Sequence, residues 1–503
     1  MSDGAKFLRR LNMEAGRRPV AAAAVALTWL GMMLSLLFDG LFFCILYVLL
    51  YVILDIAAVS LFGDRKPALP DVGRFAAVSL LGLPWRTLPV MLHLLGQVPV
   101  PVMVQNTIFM YRRPVVFAAV CCFLLSVWLF SRLCTDAAGA FFSKKIKEKH
   151  VFLRILLLEG EFILLFVLLI AAAYVLLSHL HGGVLKIAEA AVLLLEWLLF
   201  VLFQLSGLQL YCGGEAERDA PAKCSALVAA VFLVAALAQC LFISRELVSN
   251  VRSSFSVISH RGSDGNNGVP NTVPTLKATK KSLAPDYSEL DVRQTADGRF
   301  LVTHDERVGA RGREVSSLSL GDLIEFRIRD YGHSAYLSGY SQYLDEAHRL
   351  GQPLLTEIKT GSDDSYDLPQ EFCHLYADSM VSHGDMIHSM DCRVLYGIRK
   401  ADSRIKLGYV MPFELFSLPS GPMDFISAEL LTLNRTFIGD AHAEGRKVYV
   451  WTVNDRLSCI CARAMGADGI ITDNGSRLGS VLRNMTEDEL SLGCFINGYF
   501  NLR

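Results

Sequence analysis

The chain has 503 residues, room for two or three domains of ordinary size, and 48 basic side chains against 49 acidic ones. That balance leaves no electrostatic footprint for nucleic acid. Hydrophobic residues make up 52% of the chain, but almost all long apolar runs lie before about residue 247, and the remainder has the mixed composition of a soluble domain. Of the twelve cysteines, seven lie in or beside the apolar runs. The other five (Cys373, Cys392, Cys459, Cys461, Cys494) are scattered, and the Cys459-Ile460-Cys461 spacing is too tight for a zinc site without a partner pair. They read as small buried hydrophobes.

The N-terminus is basic (Arg9, Arg10, Arg17, Arg18) and leads into an apolar run from Pro19 to Phe62. That run is too long for a signal peptide and holds two crossings at about 20 residues each. Further runs follow near 75–100, 114–134, 155–179, 186–211 and 224–244. Pro84, Pro89, Pro99 and Pro101 interrupt the first of these, which reads as a kinked or re-entrant segment. Arg65-Lys66 and the Lys144–Lys149 cluster are basic loops and read as cytoplasmic. Seven crossings then place the soluble part outside the cell, six place it inside, and seven is the reading taken. Asp55, Glu159, Glu161 and Glu196 fall in apolar runs, where an acid signals a substrate path or interhelical pairing. Glu159 and Glu161 also fit the end of an interfacial helix that begins at Val151.

From residue 251 to 503 short β-like runs alternate with helical stretches. The runs are SVISH, YSELDV, RFLVTH, LLTEIK, MIHSM, IKLGYV, DFISAE, KVYVWTV and DGIITD. Alternation of this kind implies right-handed βαβ units on a parallel sheet, and the length suits one (β/α)8 TIM barrel. The expected architecture is therefore a multi-span α-helical membrane domain over 1–250 and a barrel over 251–503. Reacting groups in a barrel belong at the C-terminal strand ends, where His260, the Glu289/Asp291 pair, His304 and the Glu357/Lys359 pair are expected. Residues at i and i+2 on a strand share a face, so each pair points the same way. Trp451 sits late on its strand as an apolar pocket wall.

The three carboxylates Glu289, Asp291 and Glu357 suit a hard divalent cation, Ca²⁺ or Mg²⁺. Arg261 and Lys359 beside that ion make a clamp for a phosphoryl group. Two histidines, His260 and His304, complete an acid/base pair. Together they suit phosphodiester cleavage, although each piece alone has an ordinary structural explanation. His333, His348, His374, His383 and His442 read as surface or loop histidines. His388, at a strand position, is given no role.

The ordered set HRG, NT opening a helix, ExD, HD, EIK, VxxWTVND and GADGIITD resembles the glycerophosphodiester phosphodiesterase family over residues 255–480. The resemblance implies a TIM barrel and a divalent cation, often Ca²⁺, on Glu289, Asp291 and Glu357. It also implies His260 and His304 as acid and base, Arg261 and Lys359 on the phosphate, and hydrolysis to glycerol 3-phosphate and an alcohol. One departure is Pro270, where the family carries Glu before Asn-Thr; Asn266 or Asn267 is expected to supply polar contacts instead. The N-terminal half resembles the membrane domain of a bacterial branch by architecture alone. Glycerophosphodiesters, lysophospholipids and polyglycerolphosphate polymers are the expected substrates, and the lipid bilayer the expected partner. The alternatives are a transporter or scaffold that uses the barrel as a binding module, and a lyase acting on intact lipids.

Overall fold

The computed structural model describes residues 41–63, 65–86, 100–141, 151–189 and 254–500, with breaks at 310–311, 362–363 and 415 and isolated positions at 25–32, 98 and 191–195. The chain divides into two compact units. One takes Met1–Val98, Tyr111–Val248 and Leu502–Arg503, the other Pro99–Met110 and Ser249–Asn501.

The first unit contains α1 (Leu41–Phe62) and α2 (Leu69–Arg86). A second pair of long helices lies beyond the short α3 (Val102–Met110), which belongs to the other unit: α4 (Arg112–Gly139) and α5 (Val151–Leu177). Two helices are long and apolar enough to cross a membrane, over Phe42–Ser60 and Arg112–Cys134. Among the described residues, helices of sufficient length and apolarity thus stand at two of the seven expected crossings. The run near 224–244 and Glu196 lie outside them, and so does most of the run near 186–211. The proline-rich run is not one span, because α2 ends at Arg86 and α3 starts afresh after Pro101. Asp55 of α1 is fully buried and accepts a hydrogen bond from the Ser79 hydroxyl of α2. This acid pairs two helices, the use expected of a carboxylate among apolar side chains. Helix α5 runs unbroken through Glu159, Gly160 and Glu161, so no separate interfacial helix ends there.

The second unit is a closed parallel barrel. Its strands are β1 (Ser256–Ser259), β2 (Tyr287–Gln294), β3 (Leu354–Ile358), β4 (Met386–Ser389), β5 (Lys406–Met411), β6 (Phe425–Glu429), β7 (Lys447–Trp451) and β8 (Gly469–Thr472). Each pairs with its sequence neighbour in this set, and β1 pairs with both β2 and β8, which closes the ring. The strand expected at RFLVTH is outside the ring. Phe300–Val302 runs antiparallel to the end of β2, with Val302 opposite Val292. At eight residues β2 is longer than its neighbours, so its end projects past the rim and carries this hairpin with it. An insertion with its own small core of Leu301, Val308, Val315, Leu323 and Leu337 follows.

Helices α6 (Val273–Ser282), α7 (Tyr340–Arg349), α8 (Leu368–His383) and α9 (Cys392–Ala401) follow the first four strands. Helices α10 (Arg435–Ala443), α11 (Arg456–Met465) and α12 (Gly475–Arg483) follow the last three. Between β5 and β6 the described residues hold no helix. Helix α3 serves this sector instead. Its Asn106 and Gln105 amides donate to the carbonyls of Met390 and Ser417, in the loops after β4 and β5. Met103 and Asn106 cover the Cys392 thiol at the start of α9. Val102 and Phe109 join the core that contains Leu407, Tyr409 and Met411 of β5, and Phe109 meets the Phe413 ring.

At the N-terminal face a small device repeats. Asp286, Asp385, Asp424 and Asp468 each stand one residue before an even-numbered strand. Their carboxylates accept the backbone N–H of Val257, Leu354, Leu407 and Val448 on the preceding odd-numbered strand, at 2.8–2.9 Å. A helix adds a cationic or imidazole partner to three of them: His348 to Asp385, Arg399 to Asp424 and His442 to Asp468.

Candidate active site

Strand alternation builds the site in layers. Ile258, Leu355, Met386, Phe425, Tyr449 and Ile471 face inward and form an apolar floor. Two residues further along the same strands, on the same face, come His260, Glu357, His388, Ser427, Trp451 and Asp473. On β2 the inward series runs Tyr287, Glu289, Asp291.

Strand β1 ends in a single 3-10 turn, His260–Gly262. Arg261 and Gly262 both have positive φ, at 52° and 68°. A Cβ at Gly262 would lie 2.6 Å from the Tyr343 hydroxyl, so the turn needs glycine for space as well as for conformation. The reversal points the Arg261 backbone N–H at Glu289 Oε2, 2.7 Å away. It also lets the Arg261 carbonyl accept from Asn271 N. Asn271 closes the loop onto β2: its amide donates to Asp291 Oδ2 at 2.8 Å and its Oδ1 accepts from Asp291 N.

Glu289, Asp291 and Glu357 are all buried, at 2%, 1% and 8% exposure. Lys359 Nζ lies 2.7 Å from Glu357 Oε1 and 3.1 Å from Asp291 Oδ1, and Arg261 Nε is 3.4 Å from Asp291 Oδ2. Burial works to raise the Asp291 pKa, but Lys359, Arg261, His304 and the Asn271 hydrogen bond overcome it and hold the carboxyl well below its usual range. Burial likewise opposes charge on Lys359, and Glu357 and Asp291 reverse it, so the ammonium stays charged above its ordinary value. Three buried carboxylates face two fixed cations, which leaves one negative charge uncompensated, a costly arrangement in a protein interior. One ligand atom each from Glu289, Glu357 and His388 lies within 4.8 Å of the other two. Both the charge count and this donor set fit a divalent cation.

His260 Nδ1 is 2.8 Å from Asp473 Oδ1. Asn454 fixes that carboxylate, donating to Asp473 Oδ2 and accepting from Asp473 N. Burial disfavours the imidazolium, but the Asp473 hydrogen bond and the Glu289 charge outweigh it, and the His260 pKa is raised. His304 reaches the mouth by a different route from the one expected. It follows the Phe300–Val302 hairpin strand rather than a barrel strand, and Thr303 N donates to the Asp291 carbonyl. Its ring is partly exposed, with Nδ1 3.1 Å from Asp305. Trp451 packs on the apolar floor and donates its indole N–H to the Ser427 carbonyl.

Comparison with known proteins fits this geometry. Residues 420–476 match the glycerophosphoryl diester phosphodiesterase family, a stretch that includes Trp451, Asn454 and Asp473. The chain is also 26% identical over 232 residues to YhdW of Bacillus subtilis (strain 168), described as a glycerophosphodiester phosphodiesterase, across 43% of this chain and 93% of that protein. The barrel resembles this family over those stretches. Among solved structures, the barrel is similar to a glycerophosphodiester phosphodiesterase from Parabacteroides distasonis (21% identity, 47% of this chain and 98% of that one, TM-score 0.40). It is also similar to an Oleispira antarctica phosphodiesterase in complex with sn-glycerol-3-phosphate (17% identity, 46% and 97%, TM-score 0.40).

Four residues of the candidate site have no role in the sequence pattern alone: Asn271, His388, Asp473 and Asn454. Asn271, Asp473 and Asn454 lie inside the quoted motifs, and His388 lies two residues after inward-facing Met386. Asn267, expected to offer polar contacts in place of the missing Glu, is instead spent on its own loop. It accepts from Asp264 N and donates to the Thr279 hydroxyl.

Proposed function

We propose that this barrel hydrolyses glycerophosphodiesters to sn-glycerol 3-phosphate and an alcohol. The observation that carries the reading is the buried cluster of Glu289, Asp291 and Glu357 flanked by Arg261 and Lys359, at the strand ends where His260 is anchored by Asp473. Glu289 and Glu357 would hold a divalent cation, with Asp291 as the third carboxylate, kept beside them by Lys359 and Asn271. Bound there, the cation would polarise the phosphodiester. Arg261 and Lys359 bind the remaining phosphate charge. With Nδ1–H given to Asp473, His260 presents Nε2 to the substrate and takes the proton of the attacking glycerol 2-hydroxyl while His304 protonates the leaving alcohol oxygen. Water, giving its proton to His304, then opens the cyclic phosphate as His260 returns its proton to the 2-oxygen, leaving sn-glycerol 3-phosphate. Trp451 offers an apolar wall to the glycerol or the leaving alcohol.

The expectation of Ca²⁺ or Mg²⁺ rested on an all-oxygen site; a buried imidazole now stands beside the carboxylates. Membrane attachment is part of the proposal and rests on the spans at Phe42–Ser60 and Arg112–Cys134, and an extracytoplasmic barrel rests on the Lys/Arg distribution. One experiment tests the whole reading: glycerophosphoethanolamine is supplied to intact cells producing the protein and to their membranes, with and without EDTA. Expected is metal-dependent release of sn-glycerol 3-phosphate by both. Release only after lysis would turn the barrel inward, and no release from either would defeat the hydrolase reading.

A further inference from the structure

His388 and Ser427 are the two side chains of the inner layer that lie outside the quoted motifs. His388 lies on β4, opposite Glu357 of β3 in the strand register, and is 2% exposed. Its Nδ1 is 3.0 Å from the Ser427 hydroxyl. Its Nε2 is buried and has no hydrogen-bond partner, and the nearest carboxylate oxygen, Glu289 Oε1, is 3.8 Å away. That separation is too long for a hydrogen bond. It is the right length for two donors sharing one ion, because ligand atoms about 2.0–2.2 Å from a common metal stand roughly 3–4 Å apart.

We propose that His388 Nε2 is a nitrogen ligand of the cation held by Glu289 and Glu357, so that the site takes a transition ion such as Mn²⁺ in preference to Ca²⁺. Ser427 sets this up. An Nδ1–H donated to its hydroxyl leaves the lone pair on Nε2, aimed into the carboxylate cluster, as the hydrogen-bond partners of metal-bound histidines do. Imidazole suits transition ions, whereas Ca²⁺ takes oxygen ligands almost exclusively. A mixed set of one nitrogen and two carboxylates therefore moves the preference away from Ca²⁺ and toward transition ions. Ser427 is in turn held by the pocket wall, since its carbonyl accepts the Trp451 indole N–H.

The inference rests on the proposed phosphodiester site, but its test reads the ion rather than turnover. Full-length protein is loaded with Mn²⁺ and examined by pulsed EPR for ¹⁴N modulation from a coordinated imidazole, and Mn²⁺ and Ca²⁺ affinities are measured in parallel. Expected is ¹⁴N modulation in the unmodified protein that disappears in His388→Gln, with Mn²⁺ affinity down about 10–100-fold and Ca²⁺ affinity changed far less. Ser427→Ala, which keeps the imidazole but frees it to turn, is expected to weaken Mn²⁺ about tenfold. Absence of ¹⁴N modulation in the unmodified protein overturns the proposal. So does modulation that survives in His388→Gln with Mn²⁺ affinity intact. Glycerophosphodiester turnover with His388-independent Mn²⁺ binding would defeat the ligand alone, and His388-dependent binding without turnover would defeat the activity alone.

Discussion

Phe109 lies in α3, amid the apolar runs of the N-terminal half, yet its ring is 2% exposed and sits in the barrel core. Replacing it with Ala should therefore destabilise the barrel. A buried Phe→Ala change costs about 3–5 kcal/mol, and a domain of this size loses about 2–4 °C per kcal/mol. The unfolding midpoint of the barrel should fall by about 6–20 °C. Docking sets a ceiling on this, because α3 can detach once its anchor is gone, and the loss then stops at its docking free energy. A second assay covers that case. Cys392 is fully buried under Met103 and Asn106, and burial pushes its thiol up to about 11. Detachment would expose the thiol and lower its pKa together, and both speed alkylation. Mass-mapped labelling with N-ethylmaleimide should show Cys392 modified much faster in Phe109→Ala. Val104→Ala, at a half-exposed position of the same helix, should stay within about 0.5 kcal/mol of the parent. If neither the midpoint nor Cys392 labelling moves in Phe109→Ala, α3 is not part of the barrel.

Asp473→Asn should leave the fold intact and lower kcat about 10²–10⁴-fold, because His260 loses the carboxylate that selects its tautomer. The His260 pKa is raised partly by Asp473, so the limb of the pH–rate profile governed by His260 should move to lower pH; an unmoved limb would mean another group sets it. Asp385→Ala strips the Leu354 N–H and His348 of their shared buried partner. Leaving such groups unsatisfied costs about 1–3 kcal/mol each. Urea denaturation should show a lower midpoint at unchanged slope, with turnover preserved because this carboxylate is at the N-terminal face. Loss of turnover in a folded protein would contradict that division of faces.

Period-two alternation made much of the barrel legible, because it places Glu289 with Asp291 and Glu357 with Lys359 on one inner face. The same rule carried further would have found His388, two residues from Met386, and Asp473, two from Ile471. His388 is at a strand position that could approach the site, but a mid-strand histidine and a motif-closing aspartate look structural until their neighbours across the barrel are known. His304 shows the opposite error. Its RFLVTH run has the composition of a barrel strand, but a single sequence does not reveal that β2 overshoots the rim and folds a hairpin back. Helix α3 was illegible for a simpler reason: its partners Met390, Cys392 and Ser417 are some 280–310 positions away in the chain, and no local pattern spans that distance.

The aspartates at the N-terminal face bear on how a barrel can do without a helix between two of its strands. Asp424 clasps β5 to β6 from below, taking the Leu407 amide and the Arg399 guanidinium. The two strands that lack a local crossover helix are thus buckled together by their own sequence, like adjacent staves under one hoop. A stave pair fastened in this way can take its outer padding from wherever the chain supplies it. That leaves the origin of the fifth helix free to vary while the ring beneath the catalytic groups keeps its diameter.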